Sequence, residues 1–93
     1  MAVLKDWSVV HCKEYEPEGL QDIVLMGKVY GHKNHADGTN VITSSIRHAE
    51  VQKGCIVAKT RNTEYILNEG DIDVGYKAIY PNAYQRIVDA LSA

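Results

Sequence analysis

Apolar and polar positions alternate with a period of two through much of this chain, most clearly between residues 22 and 46. Successive side chains of a strand point to opposite faces. Over residues 22–32 this places Ile23, Leu25, Gly27, Val29 and Gly31 on one side, with Val24, Met26, Lys28, Tyr30 and His32 on the other. Glycines at 27 and 31 on one face indicate a bulge, a bend or the close approach of another element. Such bends curl small sheets toward barrels. A further strand is expected within 40–50, where Val41, Thr43 and Ser45 alternate with Ile42, Ser44 and Ile46. Asp37-Gly38 lies between the two β-rich runs, 24–30 and 40–46, and supplies a turn in which Gly takes positive φ without a Cβ clash. Residues 27–46 are therefore the stretch around which the chain is organised.

The same pattern places a first strand at 6–12, with neither face plainly polar, followed by a wet loop at 13–21 that contains Pro17 and Gly19. A turn at 52–54 precedes a fourth strand at 55–60, and Arg61-Asn62 is short enough for a two-residue hairpin into a fifth strand at 64–67. Residues 68–79, with two glycines and three acidic groups, read as an irregular connector. Tyr84, Ile87, Val88 and Leu91 then fall at i, i+3, i+4 and i+7, the apolar stripe of a helix that begins near Pro81 or Asn82. The expected fold is α+β and mainly β: a single domain over 1–93, built as a strongly bent antiparallel five-stranded sheet, a barrel-like meander, with a C-terminal helix.

Composition narrows the function classes. The 93 residues carry a net charge of −2 with both signs mixed along the chain, so no basic stripe exists to neutralise phosphates and nucleic-acid binding is not expected. No apolar run approaches the roughly 20 residues of a membrane span, and the start, MAVLKDW, lacks the pattern of a signal peptide, so a cytoplasmic location is expected. Cys12 and Cys55 show no metal-type spacing and read as buried thiols. Six tyrosines and no Phe suit sheet surfaces and interfaces. A curved sheet with one short helix leaves a face to cover, so a homodimer is expected, with Tyr76, Tyr80, Tyr84 and Ile87 as its candidate interface.

The runs G-K-V-Y-G-H at 27–32, D-G-T-x-x-I-T-S-S-I at 37–46 and T-R-N-T-E-Y-I-L at 60–67 resemble a group of small uncharacterised bacterial proteins, some carried as integron mobile gene cassettes. The resemblance covers about residues 24–73 and implies no established activity. In such proteins the following segment often reads L-G-E-x-D, from which Leu67-Asn68-Glu69-Gly70-Asp71 departs.

Candidate chemistry concentrates in the 32–46 loop and strand. His32, His35 and Asp37 present two imidazoles and a carboxylate within six residues, and zinc takes three or four such ligands. A fourth would have to come from His11 or His48, so the three are only weak metal candidates and no cofactor is expected. His11 and Cys12 are adjacent and point to opposite faces of a strand, which leaves Cys55 with His32 or His48 as the conceivable nucleophilic pair. Thr43, Ser44 and Ser45 form a hydroxyl patch with no G-x-S-x-G elbow. Asp71-x-Asp73-x-Gly75 begins like a calcium loop but lacks its third oxygen ligand and its Gly. The leading expectation is a binding or interaction module without evident catalysis. It would engage a small ligand or protein partner through His32, His35, Asp37, Thr43 and Tyr30. The alternative is a small enzyme or metal-binding protein using His32, His35 and Asp37.

Overall fold

The computed structural model describes residues 1–11, 23–61 and 63–92. Its elements run β1 (Ala2–His11), β2 (Ile23–Tyr30), β3 (Thr39–Ile42), β4 (His48–Gln52), β5 (Cys55–Lys59), β6 (Glu64–Asn68), a 3-10 turn (Glu69–Asp71), α1 (Val74–Ile79) and α2 (Ala83–Ser92). The strands form one six-stranded sheet in the order β3-β2-β1-β6-β5-β4. Four neighbouring pairs, β1–β2, β2–β3, β4–β5 and β5–β6, are antiparallel, as alternation and turn residues lead one to expect, but β1 and β6 pair in parallel through Ala2↔Tyr65, Val3↔Ile66 and Leu4↔Leu67. The five-stranded, wholly antiparallel meander is thereby corrected to a mixed six-stranded sheet. The sheet is open: β3 and β4 are its two edges, and among the described residues no ladder joins them.

The sixth strand arises because the expected third strand divides. Residues 43–47 leave β3, cross from one sheet edge to the other and enter β4, where the Arg47 N–H donates to Lys59 O at 2.8 Å. Both short hairpins are present. Gln52↔Cys55 leaves Lys53-Gly54 between β4 and β5, with Gly54 at φ 77°. Lys59↔Glu64 and the Thr60 N–H bond to Thr63 O at 2.9 Å close the β5–β6 hairpin; Asn62, expected as half of its two-residue turn, lies outside the described residues.

A bulge in β1 shapes the centre. Its register with β2 slips between Lys5 and Ser8, so that Asp6 and Trp7 stand opposite Gly27, and Asp6 takes a left-handed φ of 51°. The extra residue switches the inward set from Ala2 and Leu4 to Trp7 and Val9. That switch explains why the segment shows no plainly polar face. A Cβ on Gly27 would lie 2.8 Å from Lys5 O and 2.9 Å from Leu4 Cγ, so the strand opposite the bulge needs glycine for close approach. The face that carries Leu25 and Val29 is buried, whereas Met26 and Lys28 are exposed.

Leu4, Trp7, Leu25, Val29, Ile56 and Leu67 are essentially inaccessible and centre the single core. The Trp7 indole N–H donates to Asn68 O at 2.9 Å, and its ring lies 6.4 Å from that of Tyr84 on α2. Tyr84, Ile87 and Val88 pack against the core, as their helical spacing requires. The connector at 68–79 is more ordered than its glycines and acids imply. Ile72 bridges to Trp7 in parallel, and Asp73 caps α1 by accepting from the Tyr76 N–H at 2.9 Å. The polar residues that make it look like a loop are helix-start chemistry.

Candidate functional site

Residues 31–38 join β2 to β3 and fold back on their own neck. Gly31 (φ 76°) and Gly38 (φ 85°) open and close the loop in the left-handed region. Asp37 Oδ1 accepts the Gly31 N–H at 2.9 Å, and the Gly38 N–H donates to Val29 O at 2.8 Å. Asp37 therefore acts as the clasp of the loop.

His32 ties this loop to the far side of the sheet. Its Nδ1 accepts the Asn34 N–H at 2.9 Å, which requires a bare nitrogen and so places the ring proton on Nε2. The Nε2–H then donates to Thr63 Oγ1 at 3.2 Å, reaching past the start of β1 to the residue before β6. Thr60, almost wholly buried, holds the same corner by donating its hydroxyl to Thr63 O at 3.1 Å. His35 lies beside His32 with ring centroids 4.7 Å apart, and the Tyr65 ring stands 6.3 Å from His32.

Together these parts enclose an open groove of about 550 Å³ between the 31–38 loop, the exit of β3 and the β5–β6 corner. Lys33, Asn34 and His35 line one side, and Val41, Ile42 and Ser44 another. Thr63 and the buried Tyr65 close the third. Thr43 belongs to the groove by position, but its polar atoms are committed: the hydroxyl accepts the Leu25 N–H at 3.0 Å and donates to Ser44 O at 2.9 Å. Tyr30 does not line the groove. Its ring instead faces Lys5 of β1, whose Nζ lies 5.3 Å from the centroid.

Among the described residues no group of three or more His, Cys, Asp or Glu side chains could hold a metal ion. Both His32 nitrogens and one Asp37 oxygen are already hydrogen-bonded, His32 Nε2 to Thr63 and the other two within the loop. The Cys55 pairs are likewise not assembled. His48 pairs with Lys59 and Cys55 with Gln52, which puts them at opposite ends of the β4–β5 hairpin, and His32 faces the end remote from Cys55. Cys55 itself is half-buried, and Cys12 lies outside the described residues. Asp71 accepts from the Asn68 side chain and Asp73 caps α1, so neither frames a calcium loop.

The proposed interface residues divide. Tyr84 and Ile87 pack on the core, Tyr76 is half-buried, and only Tyr80 stands clear, with its ring 5.1 Å from that of Tyr76. Burial, then the neighbouring Tyr80, raises the Tyr76 hydroxyl above its ordinary value of 10.0, against weaker opposing pulls from Arg86 and the Val9 backbone. Burial first, then Glu69 and Cys55, raises Tyr84 in the same direction. Thr60, Thr63 and Tyr65 are the site residues that sequence reasoning misses. They carry no local signal, because only the parallel β1–β6 pairing brings their corner opposite His32.

No family model matches the chain, and no curated protein or solved structure matches it either. No helix among the described residues is long and apolar enough to cross a membrane.

Proposed function

We propose that this domain is a binding module whose small-molecule ligand seats in the groove between the 31–38 loop and the β5–β6 corner. The observation that carries this reading is the tether of His32 to Thr63, which fixes a functional-group-rich loop over a groove of about 550 Å³. That volume falls in the usual range for small-ligand sites, and a loop held at its neck and through His32 is preorganised, which lowers the ordering cost of binding. Native mass spectrometry of untagged protein, with a fragment screen read by amide chemical shifts, tests it. A retained adduct lost in Tyr65→Ala, or saturable shifts at 32–44 and 60–65, is the expected result. A bare protein whose groove amides move with no fragment would end this reading.

A second reading, self-association, has its own support. Val74, Ile79 and Tyr80 are 81%, 71% and 52% exposed within one short helix and its end, a concentration of apolar surface that small domains commonly cover with a second copy. A homodimer through α1 predicts that Ile79→Lys with Tyr80→Ser gives a monomer by light scattering. A wild-type monomer would dismiss it. The resemblance to integron-cassette proteins is compatible with either reading and implies neither.

A further inference from the structure

The groove can be assigned a ligand class by asking which polar atoms its own hydrogen bonds leave over. Resting on the reading that the groove binds a small molecule, we infer that it takes a small aromatic acid, a flat ring bearing a carboxylate or phosphate.

Three acceptors around the groove are used internally, while Asn34, Ser44 and Tyr65 can each both donate and accept. Thr43 Oγ1 receives the Leu25 N–H, His32 Nδ1 the Asn34 N–H, and Thr63 Oγ1 the His32 Nε2–H. Thr63 Oγ1 is thus occupied as an acceptor by His32, which directs its own proton away from that ring and makes it a donor to whatever occupies the groove. The Lys33 ammonium, the Asn34 amide and the exposed His35 ring supply further donors from the loop. No carboxylate is among the lining residues: Asp37 is turned to the loop neck by its bond to the Gly31 N–H, and Glu64, exposed between Thr63 and Tyr65, does not line the groove. A donor-rich, carboxylate-free lining with one full cation complements an anion and opposes a cation.

The body of the ligand follows from the walls. Both His32 nitrogens are engaged, so that ring offers its face, with the tilted His35 ring 4.7 Å and the Tyr65 ring 6.3 Å from it. Rings meet favourably at such separations. Val41 and the largely exposed Ile42 add an apolar side opposite them. A flat apolar ring with an acidic substituent satisfies both halves, the ring against these walls and the acid toward Lys33 and Thr63.

The test is an amide-shift titration of the full chain with four isosteric probes: benzoate, phenyl phosphate, benzamide and benzamidine. The expected result is saturable movement of amides at 32–44 and 60–65 by benzoate or phenyl phosphate, at least fivefold tighter than by benzamide, with benzamidine weakest. The tighter of the two acids tells which acid group the groove prefers. Lys33→Gln, an exposed change that should leave folding intact, should remove most of the difference between acid and amide while sparing benzamide. If benzamide or benzamidine binds as tightly as the acids, the groove is a ligand site and the acid assignment is overturned. If no probe moves the groove amides, the acid assignment fails, and the fragment screen decides the groove itself.

Discussion

Gly27 is the residue whose constraint is tightest. It sits opposite two residues of β1, and a methyl there meets the Lys5 carbonyl at 2.8 Å and the Cα of Trp7 at 3.1 Å, backbone atoms that cannot swing aside. Gly27→Ala should cost about 1–3 kcal/mol in chemical denaturation, the usual scale of overpacking. Gly70→Ala, with nothing within 4 Å of the new carbon, should stay within about 0.5 kcal/mol of wild type. Equal losses at the two positions would contradict the bulge geometry. At the site, His32→Ala and Thr63→Val each remove one partner of the tether, so a double-mutant cycle should show a coupling of about 0.5–1.5 kcal/mol. Additive losses would mean the tether does not form in solution. Glycine at 27 is legible in the sequence as a sign of bulge or close approach. Which strand approaches is not, since Asp6 belongs to a segment that contains no glycine to announce its left-handed turn.

Elements succeed or fail as predictions according to how local their determinants are. The hairpins between β4, β5 and β6 follow from two-residue turns flanked by β-branched residues, and α2 from a stripe that repeats within two turns. The short helix α1 escapes the pattern because its six residues VGYKAI make no full stripe. Its existence depends on the Asp73 cap and on Tyr76 finding a half-buried place. Asp73→Ala should therefore weaken α1 selectively, by about 0.5–2 kcal/mol on the scale of lost N-caps. Hydrogen exchange should speed up at 76–80 while the β5–β6 amides stay protected. Uniform acceleration across the sheet would show instead that the cap supports the whole fold. Thr43 plays a similar part at the exit of β3, where Thr43→Val would leave the Leu25 N–H without its hydroxyl partner, at about 1–3 kcal/mol for an unsatisfied buried donor.

At the scale of the whole molecule, core burial couples stability to alkaline pH. Tyr76 and Tyr84 hold their protons more tightly when folded than when unfolded, where each ionises near 10.0. Their contribution is complete below about pH 10 and is lost as the pH rises through the higher folded-state values, because the unfolded chain then binds fewer protons than the folded one. The denaturation midpoint, followed through the fluorescence of the sole tryptophan, Trp7, should hold up to about pH 10 and fall above it. The fall should be smaller in a Tyr76→Phe, Tyr84→Phe variant, and an unchanged fall would assign it to other groups. The sequence by itself determined the β-rich class, the turn at Asp37-Gly38, the two faces of β2 and the helix near the C-terminus, since each depends on residues within a few positions of one another. Only the tertiary structure decided that β1 and β6 run in parallel at the centre, that the third strand breaks at Thr43, and that Thr60, Thr63 and Tyr65 complete the groove with His32. Parallel pairing joins residues about sixty positions apart and leaves no local period, because its hydrogen-bond partners are chosen by packing of the finished sheet.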